Sequence, residues 1–255
     1  MIKNNTSYAF VYFSDDDATL VSVHRGVKTV LKNPDIAKLV GVAVEQKLPV
    51  RDLFVVVPSD RLTVDVREVN IDLGKPRKVG YESFSRLVSR DMPIVPGRTV
   101  VGNTPIFFRI DGGAPISDPV GEIGTHITAT VSALLCDDEF VEGIKNAIPT
   151  HFRNVGFLTE PALLANHLIP QEVRDAAMCL LVVAREEKTT VATVLGDGVV
   201  RLSDKLEGEL ARPIYVTGDE HLVDGFGEEA IIALCPLTGD VDALQSATMA
   251  HIESC

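Results

Sequence analysis

Short aliphatic runs rich in valine, broken every few residues by turn-formers, set the first limit on what this chain can become. Such runs read as β-strands, and those without polar alternation as strands buried on both faces. Residues 8–13 (YAFVYF) and 18–23 flank an acidic turn and form a hairpin by pattern, with a short strand at 27–31. Asn33-Pro34-Asp35 marks a helix start, a polar cap with proline in the first turn. That helix runs to about Gln46 with Ile36, Leu39, Val40, Val42 and Val44 on its apolar face. Strands are expected at 53–57, 62–66, 99–101, 105–110 and 127–133, with 71–73 extending the second of these or starting another. Asp137 and Asp138 can cap a helix over 139–147. A strand at 155–158 precedes a helix opened by Pro161, and 178–184 with 189–195 form a second strand pair, followed by strands at 199–202 and 214–217. Further helices are expected at 81–88 and 228–234. Strands interspersed with helices make the class mixed α/β. The two hairpins resemble each other weakly, which hints at a duplicated core.

Charge excludes some functions. The net charge of −12 is unsuited to replacing counterions along nucleic acid, and it disfavours a broad footprint on anionic lipid. No nucleic-acid partner is expected. No apolar run approaches a membrane span, so no transmembrane segment is expected. Residues 1–7 are polar and 8–13 are too short for the apolar core of a signal peptide. Cys136, Cys179, Cys235 and Cys255 have no metal-like spacing and read as free thiols of a reducing compartment. The expected location is the cytoplasm.

Motifs for chemistry are missing. His24, His126, His151, His167, His221 and His251 are scattered and make no ligand set. There is no Walker A loop, no GxGxxG and no nucleophile elbow. Asp15-Asp16-Asp17 reads as a solvated turn, and Glu228-Glu229 as acids favoured in a first helical turn. Bottom-up chemistry therefore predicts no catalytic residue and no metal site.

A resemblance runs through the chain in order. Ile110-Asp111-Gly112 followed by Asp118-Pro119-Val120-Gly121 resembles a segment of the inserted subdomain of the bacterial cell-division family FtsA. His24-Arg25-Gly26-Val27 resembles that family's entry into the insert. Downstream, 156–162 (GFLTEPA) resembles the segment that joins the two halves of an actin fold. Residues 182–201 resemble the second phosphate hairpin, and Tyr215-Val216-Thr217-Gly218 resembles the adenosine motif. The resemblance implies an actin-like (ribonuclease H-like) α/β core, partly reduced, with an FtsA-type inserted strand–helix–strand–strand subdomain. It divides the chain into a reduced first part of the core (1–24), the insert and its following helix (25–150), and a second half (151–255) without the further subdomain of FtsA.

Departures from the family pattern shape the functional expectation. Ala184 stands where the second phosphate loop's aspartate is expected, and Glu186, Glu187 and Lys188 replace glycines. Carboxylates repel a triphosphate, and side chains at glycine positions block the backbone N–H cradle. The first loop reads Tyr12-Phe13-Ser14-Asp15, without the family's aspartate and glycine at the matching places. What is left of the nucleotide site is Ser14, Asp15, Thr189, Thr190 and Gly218. The resemblance implies a non-catalytic scaffold, with no cofactor and with residual ATP and magnesium binding as the alternative. Its partners would be proteins, division proteins among them, or further copies of the chain. Candidate contact residues are Arg25, Asp118, Pro119 and Val120. An active actin-like ATPase with a rearranged site, and a PilM-like pilus or secretion scaffold, are the competing expectations.

Overall fold

A computed structural model describes residues 7–13, 17–80, 93–148, 150–185, 188–206, 213–218, 222, 231–232 and 243–254. The first sheet is five-stranded, in the order β3-β2-β1-β4-β8. β1 (Ser7–Phe13), β2 (Ala18–His24) and β3 (Val27–Asn33) form an antiparallel meander. β4 (Asp52–Val57) and β8 (Asn154–Thr159) then add in parallel to β1. Helix α1 (Ile36–Glu45) makes the crossover from β3 to β4. Asp35 caps it, accepting from the backbone N–H groups of Ala37 and Lys38 at 2.9 and 3.3 Å, while Asn33 Oδ1 accepts from the Asp35 N–H. Parallel pairing requires such a crossover.

A second five-stranded sheet repeats the plan, in the order β11-β10-β9-β12-β13. β9 (Cys179–Ala184), β10 (Thr189–Leu195) and β11 (Gly198–Ser203) are antiparallel, and β12 (Ile214–Gly218) and β13 (Ile231–Ile232) add in parallel. A three-strand meander followed by two parallel strands, present twice in one chain, is the duplicated arrangement of the actin-like, ribonuclease H-like fold. Ile231 and Ile232 had been expected in a helix. They pair with Tyr215 and Val216 instead, because two β-branched residues beside a free parallel edge satisfy the strand pattern as well as the helical one.

Between the sheets lie helix α3 (Glu160–Leu168) and the C-terminal helix α5 (Ala243–Ser254). Tyr8, Phe10 and Tyr12 of β1 face them, in one core with Leu163, Leu164, Leu181, Val183, Leu244 and Ala247. The alternate residues Ala9 and Val11 face Leu39, Val40 and Ala43 of α1. So β1 is covered on both sides, which is why its sequence shows no polar alternation.

The third sheet holds three strands in the order β5-β7-β6. β5 (Leu62–Lys78), β6 (Arg98–Ile110) and β7 (Ile123–Asp137) are long and antiparallel. This sheet starts at Leu62, and β3, α1 and β4, which the sequence reading grouped with the insert, pair within or against the first sheet. Residues 71–73 extend β5. The two short strands expected at 99–101 and 105–110 are one, with Pro105 on an edge strand where a missing N–H costs no ladder bond, and with register shifts on either side of it. Helix α2 (Asp138–Ala147) follows β7. Its start is not capped by the side chain of Asp137. Asp137 ion-pairs with Arg98, and Asp138 accepts from the Thr99 hydroxyl. A short helix α4 (Gln171–Ala176) links α3 to β9. The helix expected at 81–88 lies outside the described residues.

Candidate functional site

In open α/β sheets the ligand position is the crevice outside the carboxyl ends of the parallel strands. Here β4 and β8 of the first sheet and β9 and β12 of the second end at Val57, Thr159, Ala184 and Gly218. The side chains that follow those ends form a charged cluster. Glu160, the first residue of α3, is buried. Its Oε2 accepts from the backbone N–H and the hydroxyl of Ser59, both at 2.8 Å. Its Oε1 accepts from the Arg185 guanidinium, at the end of β9. Ser59 and Glu160 follow strands of the first sheet, and Arg185 follows a strand of the second.

Local sequence explains the placement. Thr159 is extended at the N-cap position and proline occupies the first turn, so α3 begins directly at Glu160. A carboxylate there faces the positive end of the helix dipole. A charge this deep is tolerable only when paired and hydrogen-bonded, and three donors meet that need. Both carboxylate oxygens of Glu160 are thus hydrogen-bonded.

Gly218 lies in the same region. It pairs with Ala184, and its φ of +126° is a conformation open to glycine. A Cβ on it would stand 1.9 Å from the carbonyl oxygen of Ala184. The close neighbour of Gly218 is thus the backbone of β9. Thr189 and Thr190 open β10, half-buried, opposite Ala184 and Val183. Ser14 and Asp15 lie outside the described residues. Among the described residues no group of three or more His, Cys, Asp and Glu comes together to hold a metal ion. No described helix is long and apolar enough to cross a membrane.

The other end of α3 carries a second charge cluster. Arg174 of α4 is buried. Its guanidinium donates to Asn166 Oδ1 of α3 at 2.5 Å and to the Ile169 carbonyl at 3.1 Å. It also reaches Gly196 O at 3.1 Å and Asp197 Oδ1 at 2.5 Å in the β10–β11 turn, and Gln171 Oε1 at 2.5 Å. All its nitrogens are used.

The candidate contact residues sit on two different sheets. Arg25 and Gly26 form the two-residue turn between β2 and β3, with φ of +50° and +79°, the backbone of a type I′ hairpin turn. Asp118 Oδ1 accepts from the Val120 N–H at 2.8 Å, Pro119 is buried, and Val120 is exposed. The neighbouring Ile110-Asp111-Gly112 motif has a structural explanation. Asp111 accepts from the Thr125 hydroxyl at 2.7 Å, the His126 N–H at 2.8 Å and the Thr125 N–H at 3.0 Å. These bonds, the Thr125 hydroxyl first, hold its carboxyl below the usual carboxylate range.

Sequence reasoning included Glu160 only as part of a joining segment, and it missed Ser59, Arg174 and Arg185. The usable signal was a charged residue directly after an all-apolar strand, as at Val183-Ala184-Arg185. Such a side chain at a strand's carboxyl end needs a partner.

No protein-family description matches the chain, and no curated protein does. Among solved structures, the cytoplasmic domain of EpsL, an inner-membrane component of the type II secretion system of Vibrio cholerae, is 12% identical. The match covers 98% of this chain and 96% of that one, with a TM-score of 0.46. A PilM–PilN type IV pilus biogenesis complex is matched at 14% identity over 78% of this chain. This chain spans 61% of that one, under two thirds of its length, with a TM-score of 0.44. A Bacteroides thetaiotaomicron protein with an actin-like ATPase fold and unknown function is 9% identical, with 88% of each chain covered and a TM-score of 0.43.

Proposed function

We propose that this chain is a non-catalytic actin-like scaffold of the FtsA kind. It would serve bacterial cell division or a related pilus or secretion assembly, from the cytoplasm, through contacts with protein partners or with further copies of itself. The observation that carries this reading is the pairing of Arg185 with Glu160 at the carboxyl ends of β9 and β8.

A triphosphate and its metal need three things from such a crevice: free backbone N–H groups, room for close approach, and carboxylates available to hold the cation. The chain supplies little of this among its described residues. Ala184 carries no ligand. Both oxygens of the Glu160 carboxylate are already bonded to Ser59 and Arg185. Gly218 lies against the β9 backbone. The described residues do not fit ATP and magnesium, and no reaction step is derived through them. Thr189, Thr190 and Gly218 then have structural roles, as strand start and strand contact. Contact with partners is assigned to the exposed turn at Arg25 and to the Asp118-Pro119-Val120 corner.

Calorimetric titration of the full chain with Mg-ATP, with a thermal-shift readout, tests the reading. The expected result is no heat of binding and no rise in Tm. Micromolar binding with a raised Tm would overturn the scaffold and put an ATPase with a rearranged site in its place.

A further inference from the structure

Strand β3 ends the first sheet on one side, and among the described residues no strand pairs with its outer edge. The two-residue turn at Arg25-Gly26 fixes which backbone groups face outward there. The pair that closes such a turn is hydrogen-bonded, and bonded and non-bonded pairs then alternate along the antiparallel ladder. With His24 opposite Val27, Ser22 opposite Thr29 and Leu20 opposite Leu31, the backbones of Val27, Thr29 and Leu31 turn inward to β2. Those of Lys28, Val30 and Lys32 turn outward, with N–H and C=O groups that the β2–β3 ladder does not use. The same three side chains share one face of the strand. Val30 lies opposite Val21 and Lys28 opposite Val23, on the side of the core that contains α5, and Lys28 Nζ donates to Gln245 Oε1 of α5 at 2.7 Å. Val30 is 45% exposed and Val27 68%, so large apolar side chains stand in water along this edge. The charge is equally one-sided. Residues 18–34 include no carboxylate, while Arg25, Lys28 and Lys32 are basic, in a chain whose net charge is −12. Of the acids that flank this stretch, Asp35 is committed to capping α1, and both it and Asp17 lie at the end away from the turn.

We propose that β3 is a docking edge for an acidic, extended segment of a partner protein, which adds antiparallel to the sheet as a further strand. Backbone pairing with Lys28, Val30 and Lys32 supplies the attachment, and their side chains set the sequence that is read. The residues opposite them fall at alternate positions on one face of the incoming strand, so the matching pattern is acid–x–aliphatic–x–acid. Opposite charges and apolar pairs directly across a ladder are favourable, and like charges are unfavourable. Lys28 keeps this role beside Gln245, since an ammonium has three donors. The two lysines disfavour a second copy of the chain as the occupant, because two β3 strands paired antiparallel about Val30 set Lys28 against Lys32. Edge lysines guard against self-pairing in this way, and they leave an acidic strand as the complement. Arg25 stands at the end of the same edge. The inference therefore names the partner chemistry of that contact, and it rests on the scaffold reading for there being a protein partner.

The test titrates a labelled, end-blocked peptide, Thr-Glu-Thr-Val-Thr-Glu-Thr, with the full chain at low salt and follows fluorescence anisotropy. A control peptide, Thr-Thr-Glu-Val-Glu-Thr-Thr, has the same composition and charge with its acids on the opposite face. Wild type is expected to bind the first peptide roughly tenfold or more tighter than the control. Lys32→Glu is expected to weaken the first peptide about tenfold, and Lys in place of the peptide's Glu that faces this residue should recover the loss. Val30→Pro deletes an outward N–H and leaves the inner ladder intact, so it is expected to abolish binding. Should Val30→Pro fail to fold, N-methylation of the peptide's valine removes the reciprocal bond and must have the same effect. Failure of the first peptide to bind overturns the docking edge. Equal binding of both peptides, or binding untouched by loss of these backbone bonds, also overturns it, since either would mean attraction by charge alone. Cosedimentation of wild type but not Lys32→Glu with phosphatidylserine vesicles, without peptide binding, would assign the lysines to a lipid surface and overturn it as well. Mg-ATP binding by wild type would remove the scaffold reading and leave peptide binding standing. Loss of the peptide result alone would remove this edge and leave the scaffold its Asp118-Pro119-Val120 corner, so the two failures are distinguishable.

Discussion

At Asp111 a single side chain ties the Ile110-Asp111-Gly112 turn to the start of β7. The residue itself has a φ of +48°, a left-handed conformation that aspartate tolerates better than most residues. Three donors converge on its carboxylate, and they hold its acidity above that of a free aspartate. The consequence for stability has a definite sign. An acid whose folded pKa is depressed contributes stability above its unfolded pKa, and loses it as the pH falls through the folded value. Asp111→Asn should therefore be less stable than wild type at pH 7, and the gap should shrink as the pH drops below the ordinary aspartate range. Urea denaturation at a series of pH values reads this directly. A gap that is constant with pH would mean that the carboxylate's charge contributes nothing. The sequence singled out this motif through a family resemblance, and the structure gives it a local physical reason. Glu160 shows the opposite case. Its importance comes from Arg185 and Ser59, which are remote in the chain, so no local pattern could reveal it.

Elements differ in how much of themselves they show in the chain. β1 and β9 are apolar throughout because both faces are covered, and runs of that kind are unmistakable. β7 is the central strand of its sheet, and it runs beyond the alternating stretch at 127–133 at both ends. Thr125 and His126 are held in the strand by Asp111. α5 shows only modest periodicity in the sequence. It lies between two sheets, and its buried positions include Gln245 and Thr248 beside Leu244 and Ala247, so no apolar stripe forms. Its polar residues are satisfied at close range: Thr248 donates to the Leu244 carbonyl at 2.7 Å, and Gln245 Oε1 accepts from Lys28 at 2.7 Å. The Tyr8 hydroxyl, in β1, donates to Glu253 Oε1 at 2.8 Å near the end of the helix. Tyr8→Phe removes that bond while keeping the ring in its stack with Phe10. The loss should be about 1 kcal/mol, since the exposed Glu253 regains water. Chemical denaturation gives the size, and amide exchange should localise it to α5. A loss spread evenly over the first sheet would show that the ring, and not the hydroxyl, had moved.

For the whole molecule, the relation between the halves depends on how the three-stranded sheet docks. Duplication was hinted at by two similar hairpins, and the repeated strand order makes it definite. The docking of the third sheet onto the second half could not be read from the chain, because it joins Ile106 and Ser132 to Gly196, Gly198 and Val199 through fit alone. That fit is tight. A Cβ at Gly198 would stand 2.7 Å from Ile106 Cγ1 and 3.3 Å from Ser132 Cβ. Gly198→Ala should thus force the sheets apart, at a cost of roughly 1–3 kcal/mol for an overpacked contact. Ile106 is itself buried, so Ile106→Ala should cost about 2–5 kcal/mol through the cavity it leaves. Together the two changes should cost less than their sum, because the smaller side chain at 106 admits the new methyl at 198. A coupling of at least about 1 kcal/mol in that direction, measured by urea denaturation of the four proteins of the cycle, is what a direct contact predicts. Strict additivity would separate the two residues and, with them, the three-stranded sheet from the second five-stranded sheet. A single cooperative transition in both single variants would show that the three sheets unfold as one unit.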